Sequence, residues 1–239
     1  MSSKRMVLIG GASGSGKTVS LMPLKDDPGI IYACTEAGKD LPFKSKFEVV
    51  NITDPMDIFE LIENAEEDDS YHTIVLDTFT YLMQQFENQY VVTANDTRKA
   101  WGDYAQFAIR LFQSSFANSS KNIVVLAHTL KEHNETEGLY EVTVPIKGSL
   151  KGNGIESFFS TVISTEKMPL KDLKDYKNKM LNITEEDEML GYKHVFQTRL
   201  TKKTVGKRIR SPIGMWSIEE TYIDNNIGHV LKTLNEYYE

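Results

Sequence analysis

Cysteine is nearly missing: Cys34 stands alone among 239 residues, which excludes an internal disulfide and fits a reducing compartment. Long apolar runs are missing too. No stretch approaches the roughly 18 consecutive apolar residues of a membrane-spanning helix. With the first strand expected from Met6, no room is left for a leader peptide. A cytoplasmic protein with no membrane partner is the expectation. Nor is there an excess of positive charge. Lys and Arg number 27 against 34 Asp and Glu, a net charge of −7, which argues against coating duplex DNA through bulk charge. No internal repeat or low-complexity tract stands out. What is present is an ordinary globular composition, 40% apolar with 15 glycines, in a length that suits one sizeable domain.

Apolar runs at 6–9, 29–34, 47–52, 73–77 and 122–127 read as strands. Helices are expected between them at 17–24, 54–67, 79–91 and 99–117, the second capped by Asp54. Strands apolar along their whole length and alternating with helices imply an α/β fold, a mostly parallel sheet covered on both faces. Beyond 130 the pattern changes. Residues 131–138 are polar and turn-rich, 139–145 alternate like an exposed strand, and 148–154 form a glycine-bearing loop. Residues 166–191 are charged and read as a helical insertion. From Tyr192 two or three antiparallel strands are expected, then a closing helix at 227–238. The domain therefore divides into a core at 1–165, the insertion at 166–191 and a small β-rich extension at 192–239.

The residues that carry chemistry begin directly after the first strand. Gly10-Gly11-Ala12-Ser13-Gly14-Ser15-Gly16-Lys17-Thr18 holds Gly11, Gly16, Lys17 and Thr18 at the spacing of a phosphate-binding loop. Backbone N–H groups of such a loop close around phosphate oxygens, and the following helix start adds more. Lys17 is expected to reach the β- and γ-phosphates of ATP, and Thr18 to offer its hydroxyl to Mg²⁺. Asp77 ends an apolar strand, where a P-loop protein holds Mg²⁺. Thr78 follows it, so no glutamate stands next to Asp77 to polarise water. Glu36, at the end of the second strand, is the substitute. From 198 to 210 there are six basic residues and no acidic one; a solvated face is the competing reading.

Taken together, the P-loop after strand 1, Thr35-Glu36 after strand 2, apolar-Asp77-Thr78 and a fourth strand ending in His128 resemble the RecA/RadA ATPase core. That resemblance implies that Glu36 polarises the attacking water and that His128 senses the γ-phosphate, although the family usually has an amide at the latter position. The run from Lys151 to Val162, Lys-Gly-Asn-Gly-Ile-Glu-Ser-Phe-Phe-Ser-Thr-Val, is similar to the family's Gly-Gly-Asn segment and its helix. Residues 131–150, with Lys131 and Lys147, would then be the second DNA-binding loop, followed by Lys151. Residues 93–101, with Arg98, Lys99 and Trp101, would be the first, though Trp101 reads equally as core. Lys207, Arg208 and Arg210 precede Pro212, where the family carries cations that act on a neighbouring subunit's nucleotide. A homo-oligomer with its active site between subunits is implied.

Five residues precede Met6, so the family's N-terminal polymerisation segment is not expected; nor is the large C-terminal domain of RecA. Together with Trp101-Gly102-Asp103-Tyr104, this looks like the phage-encoded RecA-like single-strand annealing ATPases. The implied function is ATP hydrolysis coupled to single-stranded DNA. A small-molecule or nucleotide kinase, or a non-catalytic ATP-binding switch, is the alternative reading of the same P-loop.

Overall fold

Strands with apolar residues at odd and even positions alike have something to bury on both sides of a sheet. The computed structural model of the protein describes residues 5–36 and 38–239. It contains β1 (Met6–Gly11), β2 (Ile30–Cys34), β3 (Glu48–Asn51), β4 (Thr73–Asp77) and β5 (Asn122–His128). There follow β6 (Leu130–Asn134), β7 (Leu139–Thr143), β8 (Thr161–Pro169), β9 (Tyr192–Gln197) and β10 (Tyr222–Asp224). Eight of them form one sheet in the order β10-β9-β8-β1-β5-β4-β2-β3, while β6 and β7 form a separate antiparallel hairpin. From β3 across to β8 every pairing is parallel; β9 and β10 close the sheet antiparallel.

Leu8, Ile74, Leu76, Ile123 and Val125 face one core, where α1 (Asp57–Glu67), α2 (Phe79–Phe86) and α3 (Thr97–Arg110) pack. Val7, Ile9, Val75, Val124 and Leu126 face the other, against the 3₁₀ helix Thr18–Leu24 and the closing helix. Short helices α4 (Leu170–Leu173) and α5 (Glu185–Leu190) precede β9, and α6 (Ile227–Tyr238) closes the chain where the sequence placed it. Side-chain caps start α2, α3 and α6: Thr78 accepts from Tyr81 N–H, Asp96 from Lys99 N–H and Asn226 from Gly228 N–H.

Several elements differ from expectation. The segment after the P-loop is a 3₁₀ helix containing Pro23, which has no N–H to donate. Asp54 does not cap α1; it accepts from Met56 N–H at 2.9 Å in the turn before it. Helices expected to 91 and 117 finish in π-helical turns, Glu87–Val91 and Leu111–Phe116. The turn-rich stretch from 131 forms β6. The helix implied after Gly154 is a single 3₁₀ turn, Ile155–Phe158. In the expected insertion, β8 runs through the 165/166 boundary to Pro169, and helix is confined to α4 and α5. The antiparallel strands expected near the C-terminus are β9 and β10, and they extend the main sheet beyond β8. Among the described residues no helix is long and apolar enough to cross a membrane.

Because β1, β2, β4, β5 and β8 are parallel, their carboxyl ends share one edge. The chain leaves β1 and returns on β2, beyond β5 and β4. Loops that part in this way open the crevice in which such sheets bind ligands.

Candidate functional site

The loop from Gly10 to Thr18 leaves β1 at that edge. Gly16 has φ +103°, a conformation L side chains avoid, and a Cβ there would lie 2.7 Å from the Asn225 side chain. The loop is held from behind by the C-terminal strands. A carbonyl only accepts, so His194 Nδ1 carries a proton and donates to the Ser15 carbonyl at 2.7 Å. Asn225 Nδ2 donates to the Gly16 carbonyl at 2.8 Å. The hydroxyls of Ser15 and Thr165, the latter on β8, bond to each other.

Lys17 is buried, and its Nζ donates to the carbonyls of Gly11 and Ala12, both at 2.9 Å, and to His128 Nδ1 at 3.2 Å. Burial pulls its pKa down to about 8, with the Asp77 and Glu36 carboxylates opposing the shift. Asp77, 3% exposed, accepts at Oδ2 from Thr18 Oγ1 and from the Tyr32 hydroxyl, each at 2.6 Å. Burial raises its pKa against those two hydrogen bonds. Its Oδ1 is buried with no hydrogen-bond partner. A free carboxylate oxygen beside a hydroxyl is a hard-oxygen donor set that fits magnesium, directly or through water.

Glu36 follows β2. Its Oε2 pairs with Lys39 Nζ, and its Oε1 lies 3.6 Å from His128 Nε2, beyond hydrogen-bond range. Burial, then the Lys17 charge, lowers the His128 pKa, so the imidazole is neutral at pH 7. An ammonium only donates, so the Lys17 contact leaves Nδ1 as acceptor and puts the proton on Nε2. That Nε2–H is buried with no partner. The Tyr81 ring meets the imidazole edge-on, centroids 5.6 Å apart. Lys17, Thr18, Glu36, Asp77 and His128 line one cavity of about 280 Å³ with Ser13, Gly14 and Gly16.

The remaining expected residues do not converge there. Lys207 pairs with Glu166 and donates to Gln197 at 2.9 Å. Arg208 pairs with buried Glu156 at 3.4 Å and donates to the Asn153 carbonyl at 3.0 Å. Either would have to break an internal ion pair to act on a neighbour; Arg210 is exposed. Arg98, Lys99 and Trp101 lie in the first turns of α3, not in a loop. Lys99 is exposed and pairs with Asp103 at 3.3 Å, and Trp101 packs against Tyr104 at the core's edge, ring centroids 5.3 Å apart. Lys147 pairs with Glu87 at 2.7 Å, and Lys151 is exposed. Lys131 is exposed on β6, 4.4 Å over the Tyr140 ring.

Sequence reasoning missed Tyr32, Lys39, His194 and Asn225. The last two bond to partners 179 and 209 residues away, and no local spacing signals that. Tyr32 becomes readable only once β2 is known to lie beside β4. The family model of the AAA domain matches residues 3–208, a span that holds the P-loop, Glu36, Asp77 and His128. No curated protein matches the chain.

Proposed function

The chain belongs to the AAA domain family of P-loop ATPases, and from that premise we propose that it hydrolyses ATP to control a grip on single-stranded DNA, in the manner of a phage-type recombination or annealing protein. The observation that carries the nucleotide half is a set of unmet bonding groups facing one cavity. Asp77 Oδ1 and His128 Nε2–H are buried without partners, and Lys17 and Glu36 line the same space. A triphosphate, its magnesium and a water supply what each group lacks.

In this reading the loop N–H groups and Lys17 bind the phosphates, and Lys17 exchanges the Gly11 and Ala12 carbonyls for phosphate oxygens. Thr18 and Asp77 would hold magnesium, which when bound neutralises charge on the transferring group. Glu36 takes the proton of the attacking water at Oε1, the oxygen Lys39 leaves free. His128 donates from Nε2 to a phosphoryl oxygen. Two residues later the chain enters the β6–β7 hairpin, so a shift of His128 moves that hairpin. A neighbouring copy would add a cation, and Arg210 is the exposed candidate.

Support for the DNA half comes from the resemblance and from this direct connection between His128 and the hairpin. The test is steady-state ATP turnover with and without single-stranded DNA at low salt, because phosphate contacts weaken steeply as salt rises. One feature favours a second reading. A cavity of about 450 Å³ lies against Glu36, lined by Tyr81, Gln84, Gln85 and Asn88, and a phosphoryl acceptor would sit there in a kinase. Turnover that requires a small acceptor and ignores DNA selects that reading.

A further inference from the structure

A larger cavity, about 690 Å³, lies on the other side of the P-loop. Its walls are the β6–β7 hairpin and the 202–207 segment, and Ser13 and Gly14 line both it and the phosphate cavity. Charge is concentrated there. Lys131, Lys167, Lys202, Lys203 and Lys207 face it against one carboxylate, Glu166, which Lys207 pairs. Four lysines remain uncompensated, in a chain whose net charge is −7. An acidic protein that gathers cations into one concave surface has made a local anion site, since most of its surface repels anions.

The same cleft carries an aromatic platform. Tyr140 lines it, is 57% exposed and meets the His133 ring at 5.1 Å. Cations spaced along a groove beside an exposed ring are what binds an unpaired polynucleotide: the lysines take phosphates and the ring takes a base face. A duplex hides its bases from such a ring. The two walls are one body. Val142 N–H donates to the Gly206 carbonyl at 2.9 Å, and a Cβ on Gly206 would lie 2.0 Å from the Tyr140 carbonyl oxygen, so only glycine lets the lysine segment press against β7. Thr129 N–H donates to the Gly11 carbonyl at 3.2 Å, which ties the floor of the cleft to the P-loop.

We propose that this lysine cleft is the single-strand track of the protein, with Lys202 and Lys203 holding phosphates in cis and Tyr140 stacking a base. The proposal rests on the single-strand reading above and deepens it: it moves the contact away from Arg98, Lys99 and Trp101. It also gives part of the 198–210 basic run a role within its own subunit.

Fluorescence anisotropy of a labelled oligothymidylate, with a non-hydrolysable ATP analogue across a salt series, tests it. K202E/K203E is expected to weaken binding on the order of tenfold or more and to flatten the log–log salt slope by about 1.4, two contacts at ~0.7 each. Y140A is expected to weaken it roughly five- to a hundredfold with the slope unchanged, and Y140F to restore it. R98E/K99E is expected to bind within about twofold of wild type. Should charge reversal disturb folding, seen as a lowered Tm, K202Q/K203Q gives the same slope reading with neutral side chains. Wild-type binding that K202E/K203E leaves intact overturns the cleft while the single-strand reading stands. A wild-type protein that does not bind overturns both.

Discussion

Burial pulls the Lys17 pKa in the free protein down to about 8, with the Asp77 and Glu36 carboxylates opposing the shift. A neutral amine offers phosphate no charge, so ATP affinity is expected to fall as pH rises through 8. It should be roughly tenfold weaker at pH 9 than at pH 7, one decade per unit above the pKa. Titration with a fluorescent ATP analogue at the two pH values measures this, and equal affinities would contradict it. The stability term has the opposite sign. The unfolded lysine holds its proton to about 10.5 and the folded one to about 8. Between those values the unfolded chain binds more protons, so Lys17's contribution to stability rises with pH across that window. Tyr32 tests the metal side. Tyr32→Phe removes one of two hydrogen bonds to Asp77 Oδ2 and is expected to raise the Mg²⁺ concentration for half-maximal turnover on the order of tenfold. An unchanged magnesium curve would remove Tyr32 from the site. Lys17, Thr18 and Asp77 were legible because a fixed spacing and a strand end place them. Tyr32 was not, because its role depends on which strand lies beside which.

At the scale of elements, buried strands announced themselves while the ends of helices did not. A π-helical turn buries apolar residues at spacings close to those of an α-helix, so Leu111, Phe112 and Phe116 read as a continuation of α3. β6 went unrecognised for the opposite reason: it is exposed along most of its length and carries no core signal. Extending β8 to Pro169 was equally hidden, since its last residues alternate with solvent and their pairing to β9 is non-local. The π turn after α3 nevertheless anchors the face that carries α2. Phe112, 1% exposed, packs its ring against Phe79, Phe116, Phe158 and Phe159 at 5.0–6.0 Å. Phe112→Ala is expected to cost about 3–5 kcal/mol, lowering Tm on the order of 10 °C in a chain of this length. Thermal unfolding measures it; a Tm within a degree of wild type would mean that this cluster does not hold α3 to the sheet.

For the whole molecule, one carboxyl edge gathers groups drawn from most of the chain: the P-loop after β1, Glu36 after β2, Asp77 on β4, His128 on β5 and Thr165 on β8. The class of fold was legible because apolar strands and amphipathic helices alternate. The P-loop was legible because phosphate recognition is local in sequence. The proposed single-strand track was not legible, because the lysine cleft joins residues of the hairpin to a segment some sixty positions later, and only the folded sheet brings them together. That arrangement places the proposed hydrolytic site and the proposed single-strand track on opposite sides of one loop, which is the physical basis for coupling them. Steady-state ATP turnover of wild type and E36Q, each with and without single-stranded DNA at low salt, tests that coupling most directly. The account predicts that single strands stimulate wild-type turnover, and that E36Q binds ATP normally while losing roughly 10²- to 10⁴-fold in rate. Wild-type turnover indifferent to DNA, or an E36Q protein as fast as wild type, would contradict it.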